Sequence, residues 1–281
     1  MLSVFKKRGG INSAVLWRGA SELDGAPIVL VGVINSNNRK TGAMLQTYIL
    51  RDDIDPVTAN RTGADFSICG NCPLRGVVNP EKKTGTAERR GCYVVLGQGP
   101  AGVYKKFARY GYPVLALSMD LPEHLKESGY YDLLREYGRN QNIRCGTYGD
   151  PAAVPVWVWD ALLSKASGWT GYTHQMDGAG IPEKLAGFCM VSADSETEAR
   201  EHWKRGRRTF RVVPNTAAVV PGKEIICPAT KEGGERTTCE RCGLCSGAGV
   251  TAKNIAAVVH GGGALNAVRA LDLIPAAVAH S

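Results

Sequence analysis

Two hydrophobic rhythms divide the chain. Through residue 65 the apolar residues fall in short runs (SAVLWRG, APIVLVGVI, AMLQTYIL) rich in β-branched and aromatic side chains. Turn-formers such as Asp24-Gly25 and Asn35-Ser36-Asn37-Asn38 separate them, which predicts a small β meander. After Cys69 strand-like runs alternate with helical spacing. CYVVL, PVLALSM, IRCGTY, WTGYTH, FCMVSA, TFRVVP and NIAAVVH read as strands. VYKKFARYG, the segment entered at Pro122 (LPEHLKESGYYDLLREYG), VWVWDALLSKA, ETEAREHWKRG and GALNAVRALDLI read as helices, and IPEKLAGF as a short helix or turn. Ser195 and Glu198 form a capping box at the start of one of these helices.

Residues 1–68 therefore read as a β-rich N-terminal segment, and 69–281 as an α/β domain with cysteine metal sites. Strands joined through helices make βαβ units. The expected fold is α/β: a small N-terminal β sheet, then βα repeats forming a partial β/α barrel or an open parallel sheet, with a cysteine-rich metal loop. The barrel form is favoured because chemically useful side chains follow several predicted strands, where barrel active sites gather. Tyr148, Asp150, Tyr172 and His174 are the catalytic candidates, with Ser192, Asp194 and His260 at other strand ends.

Composition narrows the class. The chain is 44% hydrophobic and 21% charged, ordinary for a globular protein of 281 residues. The most apolar stretch, 254–279, is interrupted by Gly261-Gly262-Gly263, Arg269 and Asp272, so no spanning helix and no membrane partner are expected. The basic residues Lys6, Lys7 and Arg8 follow the first apolar residues, the wrong order for a secretory signal, which predicts a cytoplasmic protein.

In that compartment the nine cysteines are ligands or catalytic groups rather than disulfides, and an odd number cannot pair completely. Cys239, Cys242 and Cys245 form C-x2-C-x2-C, with Cys227-Pro228 upstream. Two-residue gaps let one tight loop aim successive thiolates at a common centre, and Gly243 and Gly247 give its backbone room. Three close cysteines and a remote Cys-Pro suit [4Fe–4S] ligation better than zinc, which usually takes two separated C-x2-C pairs. Zinc remains the alternative cofactor. Cys69, Cys72 and Cys92 form a candidate second site, whereas Cys145 and Cys189 sit in apolar strand patterns and read as core. The spacing C-x3-C-x2-C of radical S-adenosylmethionine enzymes does not occur.

Gly97, Gly99 and Gly102 fit G-x-G-x-x-G between a predicted strand and helix, with Asp120 ending the next strand. That setting suits a dinucleotide, or another phosphate at a helix N-terminus. The net charge of +8 is clustered. One group contains Lys82, Lys83, Arg89, Arg90, Lys105 and Lys106; the other runs through Arg205, Arg207 and Arg208 to Arg211. Tyr93, Tyr104, Phe107, Tyr110 and Tyr112 are interleaved with the first. Cations beside aromatics point to nucleic acid, DNA being the first candidate. No two of the five histidines are separated by a single residue, so a His-hydrophobe-His metal pair is absent.

The stretches CGNCPLR, GCYVVLGQGPAGVYKKF, CGTYGDPAAVP, LLSKASGWTGYTHQ and CPATKEGGERTTCERCGLCSG resemble a family of cysteine-rich phage and plasmid proteins. Some members of that family are labelled rolling-circle replication initiation proteins. The resemblance runs from about Cys69 to Gly247. It implies a mobile-element protein acting on DNA in replication, in which a tyrosine, Tyr148 beside Asp150 or Tyr172 beside His174, attacks the DNA.

Overall fold

A computed structural model gives the fold and describes residues 13–34, 39–78, 90–111, 123–176, 183–249, 251–260 and 264–272. The predicted meander is present as β1 (Ser13–Ala20), β2 (Pro27–Val33) and β3 (Leu45–Arg51), antiparallel in sequence order. From β3 the pairing turns parallel through β4 (Asn142–Tyr148), β5 (Gly168–Thr173), β6 (Met190–Ala193), β7 (Thr209–Val213) and β9 (Asn254–Val258). The short β8 (Glu224–Ile226) lies outside β9, parallel to it.

The result is a nine-stranded, mostly parallel sheet of order β1-β2-β3-β4-β5-β6-β7-β9-β8. β1 and β8 stand at its two edges, so of the two architectures expected from the sequence the sheet adopts the open one. β3 pairs with β4, so the N-terminal strands continue the main sheet across the 68/69 boundary.

The helices are α1 (Pro56–Thr62), α2 (Phe66–Cys69), α3 (Gly99–Tyr110), α4 (Glu123–Gly138), α5 (Val156–Leu163), α6 (Glu196–Lys204), α7 (Cys239–Cys242) and α8 (Ala264–Asp272). Among the described residues, no helix is long and apolar enough to cross a membrane.

The main core lies where α4 and α5 cover β1–β4, and its largest fully buried side chain is Trp159. The Trp159 indole donates to the Pro151 carbonyl at 3.0 Å. The predicted cap of α6 forms, with one shift. Ser195 Oγ accepts from the Glu198 amide at 3.1 Å, but Glu198 Oε2 reaches back to the amide of Asp194, at 2.8 Å, rather than that of Ser195.

Two expected strands are not confirmed. CYVVL forms bends and turns, with Val94 and Leu96 laid against the core from outside the sheet. PVLALSM lies outside the described residues, as do Lys82, Lys83 and Arg89.

One ion pair is interior. Arg211 donates to both carboxylate oxygens of Glu224 at 2.7 Å, and the two side chains are 7% and 0% exposed. Glu224 also accepts from the Val220 amide at 2.9 Å. Breaking such a pair strands a buried charge and costs about 3–5 kcal/mol. Glu224→Ala is therefore expected to lower the unfolding free energy by that amount in a denaturant titration, while the exposed pair of Lys204 with Glu201 contributes little.

Candidate metal centre

The C-terminal cysteines are delivered by two tightly folded loops. Cys227 follows β8 and begins a compact turn, in which its carbonyl accepts from Thr230 N at 3.0 Å and Thr230 Oγ1 at 2.8 Å. Gly233 closes that turn so tightly that a Cβ there would lie 2.1 Å from the Cys227 carbonyl oxygen. Cys239 and Cys242 bound α7, which ends at Gly243 in the left-handed conformation (φ 62°). The loop before β3 docks on α7: Cys239 N donates to Lys40 O and Glu240 N to Thr41 O, both at 3.0 Å.

The loop after α7 is fastened to the sheet from below. Gly171 N donates to Cys245 O at 3.0 Å and the Trp169 indole to Ser246 O at 2.8 Å. Arg208, 5% exposed, donates to four carbonyls around the same loop: Leu244 at 2.8 Å, Gly247 at 3.1 Å, Ala252 at 3.2 Å and Lys253 at 2.6 Å. The sequence reading placed Arg208 among nucleic-acid contacts, and the structure corrects this. Arg208 stands just before β7 and is buried, and its guanidinium holds the cysteine loop.

Cys227, Cys239, Cys242 and Cys245 all line one cavity of about 540 Å³. Its floor is a face of the sheet, not the rim expected of a barrel. Period-two alternation sends Arg144, Thr170 and Tyr172 to this face and Ile143 and Cys145 to the core behind it. The register sets Arg144 directly beside Thr170. Lys40 and the N-terminal residues of α3, Gly99 and Pro100, complete the walls.

The cavity is cationic. Arg144 donates to Tyr93 Oη at 3.1 Å and its guanidinium lies 5.4 Å from the Tyr172 ring centre. Burial opposes its charge, yet Tyr93 and Tyr172 beside it hold the guanidinium firmly protonated. Lys40 Nζ lies 3.2 Å from His260 Nε2, and burial lowers its pKa against the pull of Cys227 and Cys239. Burial also pushes the Cys239 thiol up and that of Cys245 to about 12, although the neighbouring Tyr172 phenol draws the latter back. These thiols therefore have little reason to ionise unless a cation joins them.

Among the described residues, no three or more His, Cys, Asp or Glu side chains are arranged, as they stand, to hold a metal ion. The thiols surround a space instead of converging on one point. Three observations fit that space to a thiophilic group. Four cysteines line it, two basic side chains can offset the charge that thiolates would bring, and the buried Thr170 hydroxyl has no partner among the described residues. Each cysteine has three χ1 wells, so its sulfur can be redirected without moving the backbone.

A second group gathers at the carboxyl ends of β4, β5 and β6. Cys69 ends α2, and Cys72 N donates to its carbonyl at 3.3 Å. Asp65 fixes this turn by accepting from Asn60 Nδ2 at 2.6 Å and from Arg75 Nε at 3.2 Å. Cys92 is held by its amide, which donates to Leu74 O at 2.8 Å. The His174 ring lies beside Cys72, and its Nε2 is 3.4 Å from Asp194 Oδ1. Burial disfavours the imidazolium, but Cys72 and Asp194 outweigh it and hold its pKa well above the ordinary histidine value. Burial pushes the Cys69 and Cys92 thiols up.

The structure divides the four catalytic candidates. Tyr172 faces the cavity beside Cys245, and His174, two residues on, faces Cys72. Asp150 is occupied as a cap, accepting from Ala152 N at 3.0 Å and His174 N at 2.8 Å. Tyr148 is buried near Cys69 and Cys92. Burial raises the pKa of the Tyr148 and Tyr172 phenols.

Gly97, Gly99 and Gly102 follow bends, not a strand, so the strand–turn–helix setting of a dinucleotide fingerprint is missing there. Arg90 is turned onto the Cys92 and Val94 carbonyls, and Arg207 onto that of Met176 at 3.5 Å. Lys105, Lys106 and Arg109 are exposed on α3. The sequence reading missed Arg144, Lys40, Thr170 and the role of Asp194. A charged residue inside the apolar run IRCGTY was the available signal for Arg144. No protein-family model, curated protein or solved structure matches the chain.

Proposed function

We propose that this chain is an iron–sulfur enzyme acting on a small phosphate-bearing substrate, with Cys227, Cys239, Cys242 and Cys245 holding a [4Fe–4S] cluster at the wall of the substrate chamber. The observation that carries this reading is that all four cysteines, Arg144, Lys40 and the start of α3 line the same cavity. When bound, such a cluster, with a cysteine on every iron, would supply electron transfer.

The chain's own residues supply recognition. A phosphate fits beside the Arg144 guanidinium, whose forked N–H donors suit two of its oxygens. Tyr93 and Tyr172 hold Arg144 in place, and the Thr170 hydroxyl is available to donate to a substrate oxygen. Phe210 and Ile255 supply an apolar floor that lowers the local dielectric and strengthens the charge contacts.

The chamber is tested with inorganic phosphate as ligand. Binding at a hundred times its dissociation constant is expected to stabilise the anaerobic protein by about 2.7 kcal/mol. Arg144→Gln is expected to weaken phosphate at least tenfold while leaving the iron content unchanged. Equal phosphate affinity in wild type and variant sinks the substrate half of the proposal.

A second reading, a DNA-processing protein, rests on the family resemblance and on exposed Lys105, Lys106 and Arg109 along α3. It predicts filter binding to DNA whose log affinity falls with log salt by about 0.7–0.9 per phosphate contacted. Lys105→Ala and Lys106→Ala are each expected to flatten that slope by about one contact. A salt-independent or absent interaction removes this reading.

A further inference from the structure

We infer that Cys69, Cys72, Cys92 and His174 form a separate binding site for one thiophilic divalent cation of the zinc class, with Asp194 orienting the histidine. It does not depend on the iron–sulfur reading, because none of its residues lines the cavity of the C-terminal cysteines.

Four elements that are distant in sequence meet here. Cys69 and Cys72 leave α2 in a turn whose sulfurs are two residues apart, the usual spacing for two ligands of one ion. Cys92 arrives on the segment after residue 90, tied down by Leu74. His174 leaves β5, and its backbone is fixed by Asp150, which accepts from its amide at 2.8 Å. Hydrogen bonds beside each ligand draw these elements together: Asp150 N donates to Ile68 O at 2.6 Å, Gln175 Nε2 to Cys69 O at 3.5 Å and Cys92 N to Leu74 O at 2.8 Å.

Two further observations point to a ligand. The first is the Asp194 carboxylate on His174 Nε2 at 3.4 Å. A carboxylate on one imidazole nitrogen leaves the other for a metal, the arrangement that fixes the tautomer of metal-bound histidines. The second is the Tyr148 hydroxyl. Tyr148 is 4% exposed, it stands among Cys69, Cys92 and Asp65, and its oxygen has no hydrogen-bond partner among the described residues. A buried hydroxyl without a partner is costly, and a metal-bound thiolate is the kind of acceptor that would satisfy it.

The donor set sets the chemistry. Three thiolates and one imidazole make the Cys3His set of tetrahedral zinc sites, closed to further ligands. A [4Fe–4S] cluster, by contrast, takes four thiolates. The thiols do not converge on a point as they stand. The metal therefore draws three χ1 rotamers inward, and the site assembles on binding.

The test uses the full-length protein and cobalt(II) as a spectroscopic substitute for zinc. The wild type, and a Cys239→Ser/Cys242→Ser variant that disables the other cysteine set, are both expected to bind one cobalt with thiolate charge-transfer and tetrahedral ligand-field bands. Zinc is expected to displace it. Asp194→Asn is expected to weaken binding about 10–100-fold. His174→Asn is expected to weaken it further, and His174→Cys to restore binding with the bands moved to a four-thiolate pattern. That rescue separates lost ligation from lost folding. A cobalt spectrum unchanged in His174→Asn, or no cobalt bound by folded protein with Cys69, Cys72 and Cys92 intact, overturns the assignment. Loss of iron in Cys239→Ser/Cys242→Ser with cobalt binding retained supports it.

Discussion

Arg208→Met is expected to destabilise the protein by about 4 kcal/mol, within the range for losing several charge-assisted hydrogen bonds, and to release the loop carrying Cys242 and Cys245. The methionine keeps most of the buried stem but donates nothing. Four carbonyls, those of Leu244, Gly247, Ala252 and Lys253, would lose their shared donor in the interior. Trp169 and Gly171 still hold Ser246 and Cys245, so the sheet survives and the loop opens locally. Denaturant unfolding gives the total cost, and amide exchange of residues 244–248 gives the local one. Lys204→Ala, at an exposed position of the same basic cluster, is the control and is expected to stay within about 0.5 kcal/mol. If Arg208→Met behaves like the control, Arg208 is not the fastening of the cysteine loop.

Gly233→Ala is expected to abolish most of the metal content without unfolding the sheet. A methyl at this position would sit 2.1 Å from the Cys227 carbonyl oxygen and 2.8 Å from Pro228 Cα. Both are backbone atoms, so no side-chain rotation relieves the overlap. The turn must open, and Cys227 moves away from the other three thiols. Overpacking of this kind costs about 1–3 kcal/mol, enough to displace a loop but not to melt the core around Trp159. Iron content measured beside the far-ultraviolet dichroism separates the two outcomes. Full iron retention in Gly233→Ala would mean that the Cys227 turn does not set the site.

The sequence disclosed the parts of this architecture that follow from local rules. Alternation and β-branching located eight of the nine strands' worth of pattern only where runs were four residues or longer, and the three-residue β8 escaped because a strand so short has no period. CYVVL misled for the opposite reason. Its apolar run is satisfied by packing Val94 and Leu96 against the core without ladder hydrogen bonds. That the C-terminal cysteines lie together was legible because two-residue spacing is itself a local geometry, and the four line one cavity.

What was hidden depended on pairing register. Arg208 and Arg211 look like surface charge within a basic run, and only the pleat of β7 and the approach of β8 bury Arg211 on Glu224. The same holds for Arg144, which becomes a cavity residue because β4 lies beside β5. His174 and Asp194 belong to successive strand ends, so their meeting needs β5 and β6 to be neighbours. Tyr172 lines the cavity beside Cys245, whereas His174 lies past the end of β5 and meets Asp194, a division that one strand's sequence does not disclose.

We propose that Cys227, Cys239, Cys242 and Cys245 together hold one iron–sulfur cluster. Iron and acid-labile sulfide analysis of the full-length protein purified without oxygen tests it most directly, with the visible spectrum recorded on the same sample. A brown protein with about four irons and four sulfides per chain, as a [4Fe–4S] cluster requires, is the predicted result, with both lost in Cys242→Ser. A colourless protein that carries zinc on these cysteines and no sulfide would contradict it.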